Sequence, residues 1–149
     1  MKLTKLFMTQ QPFPKTVVGV LVFKENKVLL GKRKKGDGSN EYAGPGGSLR
    51  FSETFEECAI RKVKEETGID VKNVKIVALT NALHWPGAHY VDIEAVAEWE
   101  SGEPKALDSE MIESWQWYDI TSLPEPLIIG DKNGLAAIKE NRFYFGTEL

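Results

Sequence analysis

The chain has 149 residues, and its 19 Lys and Arg against 22 Asp and Glu give a formal net charge of −3. That length predicts a single domain over residues 1–149 whose core needs no disulfide or structural metal. With 42% hydrophobic and 28% charged residues, the composition excludes disorder, collagen-like repeats and membrane spans, and the mild acidity argues against a nucleic-acid polymer as partner.

Cys58 is the sole cysteine, so neither an intrachain disulfide nor a thiolate zinc cluster is available, and a cytoplasmic setting is the expectation. Its place inside a helix with no basic neighbour in sequence reads as packing. The N-terminal apolar run stops at Met8, before Gln10 and Gln11. It is too short for the apolar region of a signal peptide.

Two β-branched and apolar runs between Thr16 and Arg33 flank Lys24-Glu25-Asn26-Lys27 and predict a hairpin, with Asn26 as the favoured turn residue. Lys34 to Gly47, KKGDGSNEYAGPGG, is rich in glycine and has no periodicity, so it reads as a loop suited to close approach to a ligand. A helix follows from about Glu53 to Thr67. Thr54 and Glu57 have capping-box spacing, and Gly68 stands where a left-handed residue ends a helix. Strands are expected over Val71 to Thr80, His89 to Trp99 and Glu113 to Ile120, the middle one alternating like a half-buried strand. A last helix is expected from about Asp131 to Asn141, after Pro124 and Pro126. This order predicts an α+β chain with a mixed β-sheet sandwiched between helices.

Helical spacing aligns Phe55, Ala59 and Val63 as a core-facing stripe and puts Glu66 on the same side. A carboxylate there needs a cationic partner. Lys62, Glu65 and Glu66 form one patch around a helical turn. Two adjacent carboxylates facing a glycine-rich loop suit a hard cation, Mg²⁺ or Mn²⁺; the alternative is a solvated helix end paired with Arg61 and Lys62.

The segment Gly47 to Ile69, GSLRFSETFEECAIRKVKEETGI, resembles the Nudix box, G-x5-E-x7-R-E-U-x-E-E-x-G-U with U aliphatic. Gly47, Glu53, Arg61, Val63, Glu65, Glu66, Gly68 and Ile69 match it in type and spacing. The runs LLGKRK, PGG, ETFEECA, HY-V-I at His89 to Ile93 and E-x-W-x-W at Glu113 to Trp117 are similar to the nucleoside triphosphate hydrolases of that family, including those acting on oxidised purine nucleotides and their plant relatives. The resemblance implies the Nudix fold, cleavage of a nucleoside triphosphate to monophosphate and pyrophosphate, and a small-molecule nucleotide as partner. It also implies metal ligation by Gly46, Glu53, Glu65 and Glu66, with Arg61 orienting the carboxylates. Homodimers are frequent among similar proteins, so that state is an expectation by analogy.

One position departs from the box: Lys62 stands where the family carries a metal-binding Glu. The Lys62 side chain either folds over Glu65 or Glu66, competing with a metal, or extends outward. A substitute base is then sought at Glu110 or Glu113, with His84 and His89 as weaker candidates. Lys32 and Arg33 are candidates to reach phosphates, against a solvated strand end, Trp85 is the candidate to meet the base, and His89 is a candidate to contact the nucleotide. Two other readings stay open: a catalytically impaired nucleotide-binding module, and a hydrolase of another diphosphate, such as a nucleotide sugar or isoprenyl diphosphate.

Overall fold

The computed structural model describes residues 12–146. The short N-terminal apolar run therefore lies outside the described residues, and among those described no helix is long and apolar enough to cross a membrane. The elements in order are β1 (Lys15–Lys24), β2 (Lys27–Arg33), β3 (Tyr42–Ala43), β4 (Gly46–Ser48), α1 (Phe55–Thr67), β5 (Asp70–Ala82), β6 (Tyr90–Ser101), β7 (Ile112–Asp119), α2 (Ile129–Glu140) and β8 (Tyr144–Phe145).

One mixed sheet holds all the strands in the order β3-β2-β1-β6-β5-β8, with β4 also on β1 and β7 also on β2. Strand β1 pairs in parallel with β6 and antiparallel with two partners. Val17 to Gly19 face β4, whereas Phe23 and Lys24 face β2. The sheet thus forks beside β1, and the fork is where a cleft opens.

The continuous apolar run of β1 is explained by burial on both faces. Val18, Val20 and Val22 pack with Cys58, Ala59 and Val63 of α1, together with Ile93, Ala95 and Trp115. Leu21 packs on the opposite face with Val28 and Leu30, beside Leu135 of α2. The two helices therefore cover opposite faces of the sheet, as the α+β reading expects. Cys58 is fully buried.

Helix α1 begins with the expected capping box, in which the Glu57 amide donates to Thr54 and the Thr54 amide to Glu57, and it ends on Gly68 at φ 78°. Phe55 departs from expectation, being 38% exposed. The buried stripe instead runs through Cys58, Ala59, Val63, Glu66 and Thr67. At the first helical position the ring of Phe55 lies beyond the covered stripe, so the hydrophobic phase is set one turn later.

The hairpin forms as expected, with Glu25 and Asn26 as its turn. Glu25 takes the left-handed conformation, at φ 56°, and Asn26 tethers the turn, its side chain donating to Asp119 and its carbonyl accepting from the Ile120 amide.

The segment 34–47 is not wholly loop, since it contains β3 and the first residues of β4. Strands of two or three residues are too short to leave a periodic signal, and β8 escapes for the same reason. Glycine is required here by close approach: a Cβ on Gly44 would strike the Val20 carbonyl, and one on Gly46 the Val18 carbonyl. Because backbone cannot yield as a side chain can, Gly44→Ala is expected to destabilise the fold by about 1–3 kcal/mol in urea denaturation.

Candidate active site

The C-terminal half of α1 lies against β4, and Glu66 occupies the buried end of its apolar stripe. Its side chain is only 12% exposed. Oε1 of Glu66 accepts the Gly46 amide at 3.0 Å and lies 3.7 Å from Lys62 Nζ. The Glu66 carbonyl accepts the Trp115 indole N–H at 3.1 Å, which ties the helix end to β7. Burial pushes the Glu66 carboxyl up, while the Gly46 amide and the Lys62 charge oppose that rise.

Arg61 organises the adjoining acids. Its Nε donates to Glu53 at 2.6 Å, Nη2 to the second Glu53 oxygen and the Ser48 carbonyl at 3.0 Å each, and Nη1 to both Glu65 oxygens at 3.3 Å. Both Glu53 oxygens are therefore engaged by one guanidinium, a fork-to-fork geometry that only arginine supplies. These hydrogen bonds lower Glu53 to about 2. Partial burial works against the charge on Glu65, but hydrogen bonds from Arg61 and Lys62 outweigh it and hold that carboxyl below its ordinary range.

Lys62 folds inward. Its ammonium lies 3.3 Å from Glu65 Oε2 and 3.7 Å from Glu66 Oε1, bridging both carboxylates. Its methylenes lie over Gly47, where a Cβ would collide with them.

A cleft of about 200 Å³ opens at the fork of the sheet, with Gly46, Gly47 and Glu66 on one side and Arg33, Trp85 and Tyr90 among its walls. Of the expected site residues, Lys32, Glu53, Arg61, Glu65, His89, Glu110 and Glu113 do not line it. Trp85 meets Tyr90 edge to face at 5.6 Å. The Tyr90 hydroxyl donates to Asp37 at 2.6 Å, and Arg33 Nε donates to the Asp37 carbonyl at 3.0 Å. Outside the cleft, His89 Nε2 lies 2.7 Å from Asn81 Oδ1, and exposed Glu110 pairs with Lys35 at 3.6 Å. Glu113 is exposed on β7.

The Nudix domain family matches residues 13–138. The chain belongs to the Nudix family. Similar curated proteins include the NAD-capped RNA hydrolase NudC of Vibrio atlanticus, 34% identical over 79% of this chain and 41% of that protein. The oxidized purine nucleoside triphosphate hydrolase of Danio rerio is 33% identical over 70% of this chain and 66% of its own length. The chain thus spans about two fifths of the first relative and about two thirds of the second. Among solved structures, the MutT Nudix hydrolase from Burkholderia pseudomallei superposes with a TM-score of 0.80 at 25% identity, covering 85% of this chain and 99% of that one.

Nudix hydrolases generally use divalent metal ions, which take hard oxygen donors. Among the described residues, no group of three or more His, Cys, Asp or Glu side chains converges in metal-binding geometry. A pair of carboxylates, Glu65 and Glu66, beside a backbone segment at Gly46 is nevertheless the sparse oxygen set that suits Mg²⁺, which keeps waters and takes further ligands from substrate phosphates. The residues fit such an ion once the Lys62 ammonium moves aside.

Sequence reasoning missed a second set of acids in this Nudix chain. Asp92 and Glu94 occupy the polar phase of β6, which alternation assigns to solvent, but α2 covers that face and adds Asp131 from its first turn. All three line the cleft. Glu94 is 1% exposed and Asp131 3%. Asp131 accepts the Gly44 amide at 2.6 Å. A proton on Glu94 is donated to Asp131; with both ionised, neither Glu94 oxygen has a partner. The one available signal was the pair of acids itself, in a strand otherwise apolar enough to be buried.

Burial, reinforced by the charge of Asp131, raises Asp92 to about 7, and burial also lifts Glu94 and Asp131. The folded chain therefore binds these protons more tightly than the unfolded chain does. The cluster's contribution to stability is fullest at low pH and declines as pH rises through the folded values. Melting temperature is expected to fall between about pH 4 and pH 7, with Asp92→Asn flattening the decline. Glu53 acts in the opposite sense over a separate window, its pairing being lost as pH falls from 4.5 towards 2.

Proposed function

We propose that the protein is a Mg²⁺- or Mn²⁺-dependent hydrolase that cleaves a phosphoanhydride bond of a nucleoside triphosphate, releasing nucleoside monophosphate and pyrophosphate. The observation that carries this reading is the Glu66 carboxylate, buried at the cleft against the Gly46 amide and flanked by a Glu65 that Arg61 holds ionised. The resemblance to the oxidized purine nucleoside triphosphate hydrolase of Danio rerio supports the substrate class.

Glu65, Glu66 and the Gly46 carbonyl would hold the ion. A bound divalent cation supplies charge neutralisation for the phosphates and acidifies a nearby water. Glu65, with 41% of its side chain exposed, is the carboxylate of the pair most open to that water and accepts its proton. Arg61, with Glu53 fixing its orientation, positions Glu65. Arg33 on the cleft wall meets phosphate, and Trp85 meets the base. Lys62 departs from the family pattern as an internal cation that a metal must displace. Residues 1–149 act as a single catalytic domain, and the lone buried thiol of Cys58 suits a cytoplasmic setting.

The NudC resemblance favours a second reading, cleavage of a dinucleotide pyrophosphate such as the NAD cap of an RNA. Product analysis separates the two. A panel of triphosphates and NAD-type dinucleotides with Mg²⁺ is expected to yield monophosphate plus pyrophosphate from the triphosphates. Two monophosphates from the dinucleotides alone would support the second reading, and no turnover of either with measurable nucleotide binding would leave a binding module.

A further inference from the structure

Lys62 closes an ion-pair network whose charge is balanced. Glu53, Glu65 and Glu66 face Arg50, Arg61 and Lys62, three acids against three bases. A glutamate at position 62 would leave four acids against two bases. The difference between the two states of this position is two units of charge, that of one divalent ion.

The path of the side chain and the composition of the cleft add to this. The Lys62 side chain is 20% exposed, whereas that of Lys64 is 57% exposed. A Cβ on Gly47 would meet Cδ, Cε and Nζ of Lys62, so the stem passes along the bare backbone of a residue that lines the cleft. The cleft itself is short of cations. Among the described residues, Arg33 is the one basic residue on its lining, against Asp37, Glu66, Asp92, Glu94 and Asp131, and its Nε is donated to the Asp37 carbonyl. Arg61 is no substitute, since its Nε, Nη1 and Nη2 are donated to Glu53, Glu65 and the Ser48 carbonyl. A polyphosphate in this cleft therefore needs positive charge beyond one metal ion and Arg33.

We propose that Lys62 stands in for one divalent ion, an inference that rests on the metal and phosphate sites proposed above. Its ammonium leaves Glu65 and Glu66 when an ion enters and then neutralises phosphate charge at the Gly47 edge of the cleft. A compact ammonium on a flexible stem binds phosphate as a point charge, so one residue balances the carboxylates in the free chain and the phosphates in the complex. Lys62 is then more than an obstruction to the metal, and removing its charge has two effects of opposite sign.

Lys62→Met keeps an unbranched stem and removes the charge. Electron paramagnetic resonance is expected to show severalfold tighter Mn²⁺ binding in this variant, while calorimetry with the Mg²⁺ complex of inorganic pyrophosphate shows about tenfold weaker binding. Lys62→Glu is expected to bind one more Mn²⁺ per chain than the wild type. The Lys62→Met result decides alone where melting curves show that Lys62→Glu does not fold. A Lys62→Met chain that binds both Mn²⁺ and pyrophosphate more tightly, or a folded Lys62→Glu chain with the wild-type Mn²⁺ stoichiometry, would overturn the proposal. The expected Mn²⁺ and pyrophosphate pattern in a chain that cleaves no phosphoanhydride would overturn the proposed reaction and leave this role standing. Triphosphate cleavage with unchanged pyrophosphate affinity in Lys62→Met would do the reverse.

Discussion

Replacing Glu66 by Gln is expected to cut phosphoanhydride hydrolysis by at least about 10²-fold, since even partners one layer outside a metal's ligands cost roughly 10- to 100-fold when removed. The fold should survive. Glutamine keeps an oxygen for the Gly46 amide and removes a charge that burial disfavours, so the melting temperature should change little. The loss should appear in kcat as well as in the metal concentration needed, because Glu66 is proposed to hold the ion that neutralises the reacting phosphates. A retained rate with unchanged metal requirement would remove Glu66 from the site.

The second large effect is expected from Lys62→Glu. The lysine ammonium lies within 4 Å of both Glu65 and Glu66, so a metal entering there meets a like charge and must displace it. One unit charge at such a distance is worth up to about 4 kcal/mol near a protein surface. Reversal to a carboxylate should therefore lower the Mg²⁺ or Mn²⁺ concentration for half-saturation by roughly 10- to 100-fold after solvent screening. Direct Mn²⁺ binding measured by electron paramagnetic resonance checks this independently of turnover. Gly47→Ala offers a second route, since its new Cβ would push the Lys62 methylenes out of their present position. An unchanged metal affinity in both variants would show that Lys62 leaves the carboxylates without cost.

Much of this region was legible because its determinants are local. The capping box, the Gly68 terminus and the pairing of Arg61 with Glu65 and of Lys62 with Glu66 one turn apart on α1 are spacing rules within one helix, and the structure keeps them. The placement of Glu66 on the apolar stripe follows from the same period, and its requirement for a cationic neighbour was met by Lys62. Phe55 marks the edge of such reasoning. Helical phase assigns it to the stripe, but how far the sheet extends beneath the first turn is a tertiary matter, and the ring lies partly exposed.

The rest depends on which segments the fold brings together. Lys32 and Arg33 adjoin in sequence, yet only Arg33 reaches the cleft. Trp85 reaches it from a loop through its contact with Tyr90, while neighbouring His89 turns to Asn81. Asp92 and Glu94 read as the solvent phase of a half-buried strand until α2 closes over them and contributes Asp131.

By itself the sequence determined the helix with its Arg61, Glu65 and Glu66, the order of the longer strands, and the layered α+β architecture. All of these follow from periodicity and capping within short windows. Tertiary structure alone decided that Lys62 folds between the two carboxylates and that three acids from two distant segments share one buried pocket. Charge on a side chain is fixed by its residue type, but its partner and its solvent are fixed by what packs against it.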